Sequence, residues 1–153
     1  MAQRRLLLRG DGVVAEAVER RLTRLEVSVV HEEALATDAI FTWEPAPRTP
    51  GDLGAQIQQL TQSLDTGGLR RVVLLLSDEA PVATAIAETL TLYAAAHLVR
   101  KQTRFNMVRL ASSPSASALQ RAINTTLMLI SGRMDAVHGQ VLSIVADSPG
   151  ASA

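Results

Sequence analysis

Six short apolar runs punctuate the chain: "RLLL" at 5–8, "VSVV" at 27–30, "AIFTW" at 39–43, "VVLLL" at 72–76, "RFNMVRL" at 104–110 and "QVLSIV" at 140–145. Their apolarity is continuous rather than alternating, so each predicts a strand buried on both faces. Such strands belong to a parallel sheet covered by helices on either side. The intervening segments carry helical spacing and readable ends. Val14, Val18, Leu22 and Leu25 give one apolar stripe, predicting a helix over 13–25. A second helix is expected over 52–64, after the cap and first-turn proline Thr49-Pro50 and before Gly67-Gly68. A third runs from about 81 to 101, and a fourth from about 115 to 131, ending at Gly132. The alternation predicts a doubly wound α/β layer of about six parallel strands with helices on both faces. Between Val30 and Ala39 the linker is too short for a crossover helix, so either a piece is missing there or the two strands lie apart in the sheet.

Length and charge narrow the function classes. A chain of 153 residues supports one domain, expected over 1–147 with a frayed tail at 148–153. Lys plus Arg and Asp plus Glu balance at 15 each, which argues against nucleic acid or an anionic membrane as partner. The absence of cysteine excludes disulfides, thiol catalysis and thiolate metal sites. The early apolar run covers only Leu6–Leu8, too short for a signal-peptide core, and no stretch approaches the roughly 20 apolar residues of a membrane span. A cytoplasmic protein is expected. Aromatic residues are 3% of the chain, so the core must be built from small aliphatic side chains.

The order of segments resembles the short-chain dehydrogenases/reductases, in particular their ketoacyl-reductase-like members. "DAIFTWEPA" at 38–46 is similar to the family's Asp-x-x-x-Asn-Asn-Ala-Gly strand, and "RRVVLLLSD" resembles its strand ending in two serines. "AIAETLTLYAAAHLVRKQTRFNMVRL" resembles the long helix and the Arg-x-Asn-x-Val strand that follows it; "LMLISGRMDAVHGQVLSIVAD" resembles the closing segment. Together these cover most of residues 38–147. The resemblance implies a truncated Rossmann-like sheet, with the family's second crossover helix, third strand and following helix deleted between residues 30 and 38. It also implies that the active site is lost. Thr42-Trp43 stand where the family has two asparagines, and Asp78 stands where its catalytic serine is expected. Registered on Arg104-Phe105-Asn106, the catalytic tyrosine and lysine positions fall near Ala80 and Thr84, and the closing Asn-Gly-Gly becomes Val145-Ala146-Asp147.

Other candidates follow from the residues themselves. Tyr93 is followed one helical turn later by His97 rather than by the lysine that would hold a phenol ready for proton transfer. "GDGVVA" at 10–15 has the form of a short phosphate loop between strand and helix, which makes Gly10 and Gly12 candidates for a residual cofactor site. Asp11 and the bulk of Val14 oppose that reading. Glu32, just after the second apolar run, is the candidate for a ribose hydroxyl. His31, His97 and His138 have no metal-site spacing. The group Arg100-Lys101-Arg104 reads as a helix C-terminus, with a phosphate contact as the alternative.

The helix over 81–101 is apolar most of the way round. Val82, Ile86, Leu90 and Tyr93 form one stripe, and Ala85, Leu92, Ala96 and Val99 another. A helix covering a sheet needs one apolar face, so the second face predicts a partner. In the family this resembles, the same helix and the last strand form subunit interfaces. Ala83, Ala87, Leu90, Ala94, Leu98, Val141 and Ser143 are the expected interface residues. The expectation is therefore a non-catalytic subunit, without cofactor or metal, that assembles with an active short-chain reductase or with itself. The alternatives are a nucleotide- or acyl-group-binding module and a divergent NAD(P)-dependent oxidoreductase. Which stripe of the helix meets the sheet is open.

Overall fold

The computed structural model describes residues 5–44, 49–66, 68–77, 81–98, 102–111 and 113–145, with the side chains of 66, 82–84, 94 and 95 outside that description. Strands form at β1 (Leu6–Arg9), β2 (Val29–Val30), β3 (Asp38–Trp43), β4 (Arg71–Ser77), β5 (Arg104–Leu110) and β6 (Val141–Ser143). Helices are α1 (Val13–Arg24), α2 (Pro50–Thr66), α3 (Pro81–Tyr93) and α4 (Ala116–Ile130), with a π-helical segment, Ala94–Leu98, continuing α3. Residues 99–101, the expected end of the third helix, and the tail at 148–153 lie outside the described residues. The starts of α2 and α4 use side-chain caps from within one turn. The Thr49 hydroxyl accepts from Asp52 N–H at 3.2 Å ahead of Pro50, and the Ser115 hydroxyl accepts from Ala118 N–H at 3.1 Å.

All described strands are parallel and ordered β2-β1-β3-β4-β5-β6. The first five positions follow one of the two common doubly wound orders, and β6 extends the edge. This is the Rossmann-like α/β architecture expected from the apolar runs. Alternate residues along β4 and β5 feed two separate cores. Leu74, Leu76, Phe105 and Met107 pack with α2 and α3, whereas Val73, Leu75, Val108 and Leu110 pack with α1 and α4.

The short linker after β2 resolves into strands lying apart. β2 and β3 flank β1 on opposite sides, and Val29 and Asp38 both pair with Leu6, so they stand level at the amino end of the sheet. The chain passes from one to the other through a 3-10 turn, Glu33–Leu35, with Ala36 packed in the core beside Leu7, and Thr37 N–H donates to Arg5 O at 2.9 Å. Without a helix to carry it back from the far end, β2 stops after its second residue. Leu8 and Arg9 of β1 consequently have β3 as their only strand partner among the described residues.

Candidate functional site

In a doubly wound sheet the ligand-binding crevice opens beyond the carboxyl ends of the strands where the strand order reverses. Here that point lies between β1 and β3. It holds a cleft of about 600 Å³ whose wall includes Arg9, Gly10, Asp11, Glu33, Thr42 and Glu44, with glutamines of α2 opposite. The glycine loop is therefore in the expected place. Its chemistry is altered by what packs against it.

Gly12 precedes α1 and offers no side-chain cap to the helix. The cap comes from thirty residues away, since Glu44 Oε2 accepts from Val14 N–H at 2.8 Å. That position, at the first-turn amides of the helix after β1, is where a cofactor phosphate would bind in a nucleotide site. Gly12 sits at φ 108, and a Cβ there would stand 2.9 Å from Glu44 Oε2. Gly10 sits at φ 135; its Cβ would overlap the Thr42 hydroxyl and lie 2.5 Å from the Thr42 carbonyl oxygen. Gly10 is thus needed for close approach of the loop to the end of β3, and both glycines for backbone conformations other residues rarely adopt. Among the described residues of the cleft wall, Asp11, Glu33 and Glu44 outnumber Arg9, and these carboxylates contribute a field that opposes a phosphate.

Glu32 is exposed and outside the cleft wall, whereas its neighbour Glu33 lines it. Thr42 and Trp43 are buried at the end of β3. Asp78 and Ala80 lie outside the described residues, as does the side chain of Thr84. Ser77, the last residue of β4, is buried and donates to Ala111 O at 3.4 Å, turned toward the end of β5.

Tyr93 lies at the other end of the sheet. Helix α3 starts beyond the carboxyl end of β4 and runs back, bringing Tyr93 to Asp65, whose Oδ1 accepts its hydroxyl at 2.7 Å. Burial, with the hydrogen bond to Asp65 and its charge adding to it, pushes the Tyr93 phenol up to about 12. The ring meets His97 edge to face, with centroids 4.9 Å apart. A phenol so protected from ionisation, and remote from the cleft, holds the end of α3 in place.

Two further residue groups have structural roles. Buried Asn106 of the Arg-x-Asn-x-Val stretch donates to Val137 O at 3.1 Å and accepts from Gln140 N–H at 3.2 Å, fixing the turn that leads into β6. His138 accepts from Phe105 N–H at 3.1 Å in the same turn. Arg71 donates twice to Asp135, at 2.7 and 2.9 Å, and stands 3.6 Å from buried Asp38. The hydrogen bonds to Asp135, with the two negative charges, raise the Arg71 guanidinium further above its ordinary value against the cost of burial. Among the described residues, no group of three or more His, Asp or Glu converges as metal ligands, and no helix is long and apolar enough to cross a membrane.

The packing puts the expected interface residues in different surroundings. Ile86, Ala87, Leu90 and Leu98 are buried in the core between α2, α3 and the sheet, with Leu90 and Leu98 fully so. The stripe containing Ile86 and Leu90 therefore faces the sheet, with Leu90 and Leu98 enclosed within this layer, while Ala87, also buried, borders a groove on the outer side. The side chains of Ala83 and Ala94 lie outside the described residues. Val141 is half-buried and Ser143 exposed on the edge strand β6. The outward face of α3 instead carries Ala85, Thr89, Leu92 and Ala96, with Leu92 71% exposed. A groove of about 550 Å³ runs between this face and β6, walled by Ala87, Glu88, Thr91, Leu92, Arg109 and Val141.

No protein-family model and no curated protein matches this chain. Among solved structures, it is similar to a flavodoxin from Streptococcus pneumonia TIGR4, with 14% identity and a TM-score of 0.55, covering 85% of this chain and 99% of the flavodoxin. At that identity the likeness establishes the fold alone, a parallel α/β sheet of Rossmann-like or flavodoxin-like kind, which in this chain has six strands.

Proposed function

We propose that the chain is a non-catalytic subunit related to the short-chain dehydrogenases/reductases, which assembles with an active ketoacyl-reductase-like partner. The observation that carries this reading is the Glu44 carboxylate on the first-turn amide of α1, placed so that the chain supplies its own anion where a cofactor would put phosphate. The two glycines support it, because both are packed against Thr42 and Glu44. So does the strand order. Removing the third strand from the doubly wound order 3-2-1-4-5-6 leaves 2-1-4-5-6, equivalent to the first five strands here.

Assembly is supported by the outward face of α3. Leu92 stands exposed beside an open groove, and small residues at 85 and 96 let another helix approach closely. The partner's equivalent helix is the occupant this reading assigns to that face. Calorimetric titration of the isolated chain with NADH and NADPH tests the non-catalytic part. No binding tighter than about 10 μM, or about −7 kcal/mol, is expected. A tighter constant would return the cleft to the nucleotide-binding class.

A further inference from the structure

The edge strand β6 is held to β5 in part by one imidazole. Odd-numbered residues of β5 turn their backbone groups toward β6: Met107 N–H donates to Gln140 O at 2.9 Å, and Arg109 O accepts from Ile144 N–H at 2.9 Å. One step earlier, a regular parallel ladder would bring Phe105 N–H to the His138 carbonyl. Gly139, at φ 69, turns the chain out of strand conformation before that rung forms. The His138 side chain replaces it, with Nδ1 accepting from Phe105 N–H at 3.1 Å, while the His138 carbonyl accepts from Gln140 Nε2 at 3.3 Å. An imidazole nitrogen accepts only while it carries no proton, and in the imidazolium both nitrogens donate. Protonation of Nδ1 therefore sets N–H against N–H. Phe105 is 1% exposed, so its amide has no ready exchange with water.

Charged groups lie on the elements around the ring. Among the described residues these are Arg133 and Asp135 of the same turn, Arg104 and Arg109 of β5, Arg71 of β4 and Arg121 of α4, with His97 on the π-helical segment. Arg71 holds both oxygens of Asp135, at 2.7 and 2.9 Å, and Asp65, which lines one cavity with Arg104 and Asp135, accepts the Tyr93 hydroxyl. An imidazolium would have to compete for either carboxylate. We propose that His138 is a pH-sensitive latch, which seats β6 while Nδ1 is unprotonated and on acidification releases that strand, with it the Val141 wall of the groove beside α3. The seated state accepts only the neutral ring. Seating is therefore complete well above about pH 6.5, where an ordinary imidazole is neutral, and is lost progressively as pH falls below it. The latch concerns how this chain holds its own edge strand, so it does not depend on the subunit reading.

Amide hydrogen exchange of the full chain, read by NMR as protection factors so that the intrinsic pH dependence of exchange divides out, tests the latch. Between about pH 7.5 and about pH 5, protection at Phe105, Gly139 and Ile144 should fall roughly tenfold or more, while the amides of β4 keep theirs. In His138→Asn the side-chain oxygen stands as many bonds from the backbone as Nδ1 and takes no proton, so protection should stay high at both pH values. In His138→Ala it should be low at both. Protection at Phe105 that is flat across this range in the wild type overturns the proposal without any variant having to fold. So does a loss that extends equally to β4, a pH response in His138→Asn equal to that of the wild type, or wild-type protection at neutral pH in His138→Ala.

Discussion

Replacing Glu44 by alanine removes the cap of α1 and tests the self-filled cradle at its energetic root. Gly12 gives the helix no side-chain cap, so the Glu44 carboxylate at 2.8 Å from Val14 N is the acceptor that answers this first-turn amide. A hydrogen bond to a charged group contributes about 1.5–3 kcal/mol, and an anion at a helix N-terminus contributes about 0.3–1 kcal/mol at the surface. Glu44 is only half-buried, which moderates both effects, so a loss of about 2 kcal/mol is expected for Glu44→Ala. For a chain of this length that corresponds to a melting temperature lower by about 4–8 °C. Glu44→Gln keeps an acceptor and loses the charge; it should fall between wild type and alanine, at about 1 kcal/mol. Urea unfolding read by the single tryptophan, Trp43, and by far-UV circular dichroism gives both values. Glu32→Ala, an exposed acid outside the cleft, serves as control within about 0.5 kcal/mol of wild type. A Glu44→Ala variant as stable as that control would refute the cap, and equal loss in the glutamine and alanine variants would refute its electrostatic part.

Gly10→Ala should destabilise by about 3 kcal/mol or more, measured in the same urea series, because the added Cβ meets Thr42 at a backbone conformation alanine resists; a loss under about 1 kcal/mol would show that β3 yields. Tyr93, the single tyrosine, should ionise with a midpoint of about 12 in an ultraviolet titration, moving part of the way toward 10 in Asp65→Asn. Since its folded-state pKa lies above the unfolded value, its contribution to stability is complete below pH 10 and is lost as pH rises from about 10 to 12, a slope that Tyr93→Phe should remove. A midpoint near 10 would contradict the packing around the phenol. On α3, Ala87→Glu should destabilise the isolated chain by several kcal/mol, while Leu92→Glu should leave it within about 0.5 kcal/mol; comparable losses would mean that the outward face is misassigned.

The sequence made local features legible where they depend on neighbours in the chain. The Thr49-Pro50 and Ser115 starts follow from caps within one turn, and β5 spans the apolar run 104–110 because continuous apolarity suits a central parallel strand. What escaped was settled by distant residues. Nothing near Glu44 marks it as the cap of a helix thirty residues earlier, yet that contact changes the meaning of Gly10 and Gly12. Two stripes of similar apolarity left the orientation of α3 undecided, and the sheet chose Ile86 and Leu90, which encloses Leu90 and Leu98 in the core. The basic group around Arg104 was visible, but Arg71 comes to lie beside it only through the pairing of β4 and β5.

Assembly with a reductase is the central claim, and capture of the tagged chain at native expression level, with every co-purifying chain identified and the mass of the complex measured by light scattering, tests it most directly. The account predicts a full-length short-chain reductase at fixed stoichiometry in a complex with NADPH-dependent ketoacyl reduction, and loss of that partner in Leu92→Glu. A chain recovered as a well-behaved monomer, with no reductase at fixed stoichiometry and with the Leu92→Glu variant indistinguishable from wild type, would contradict it.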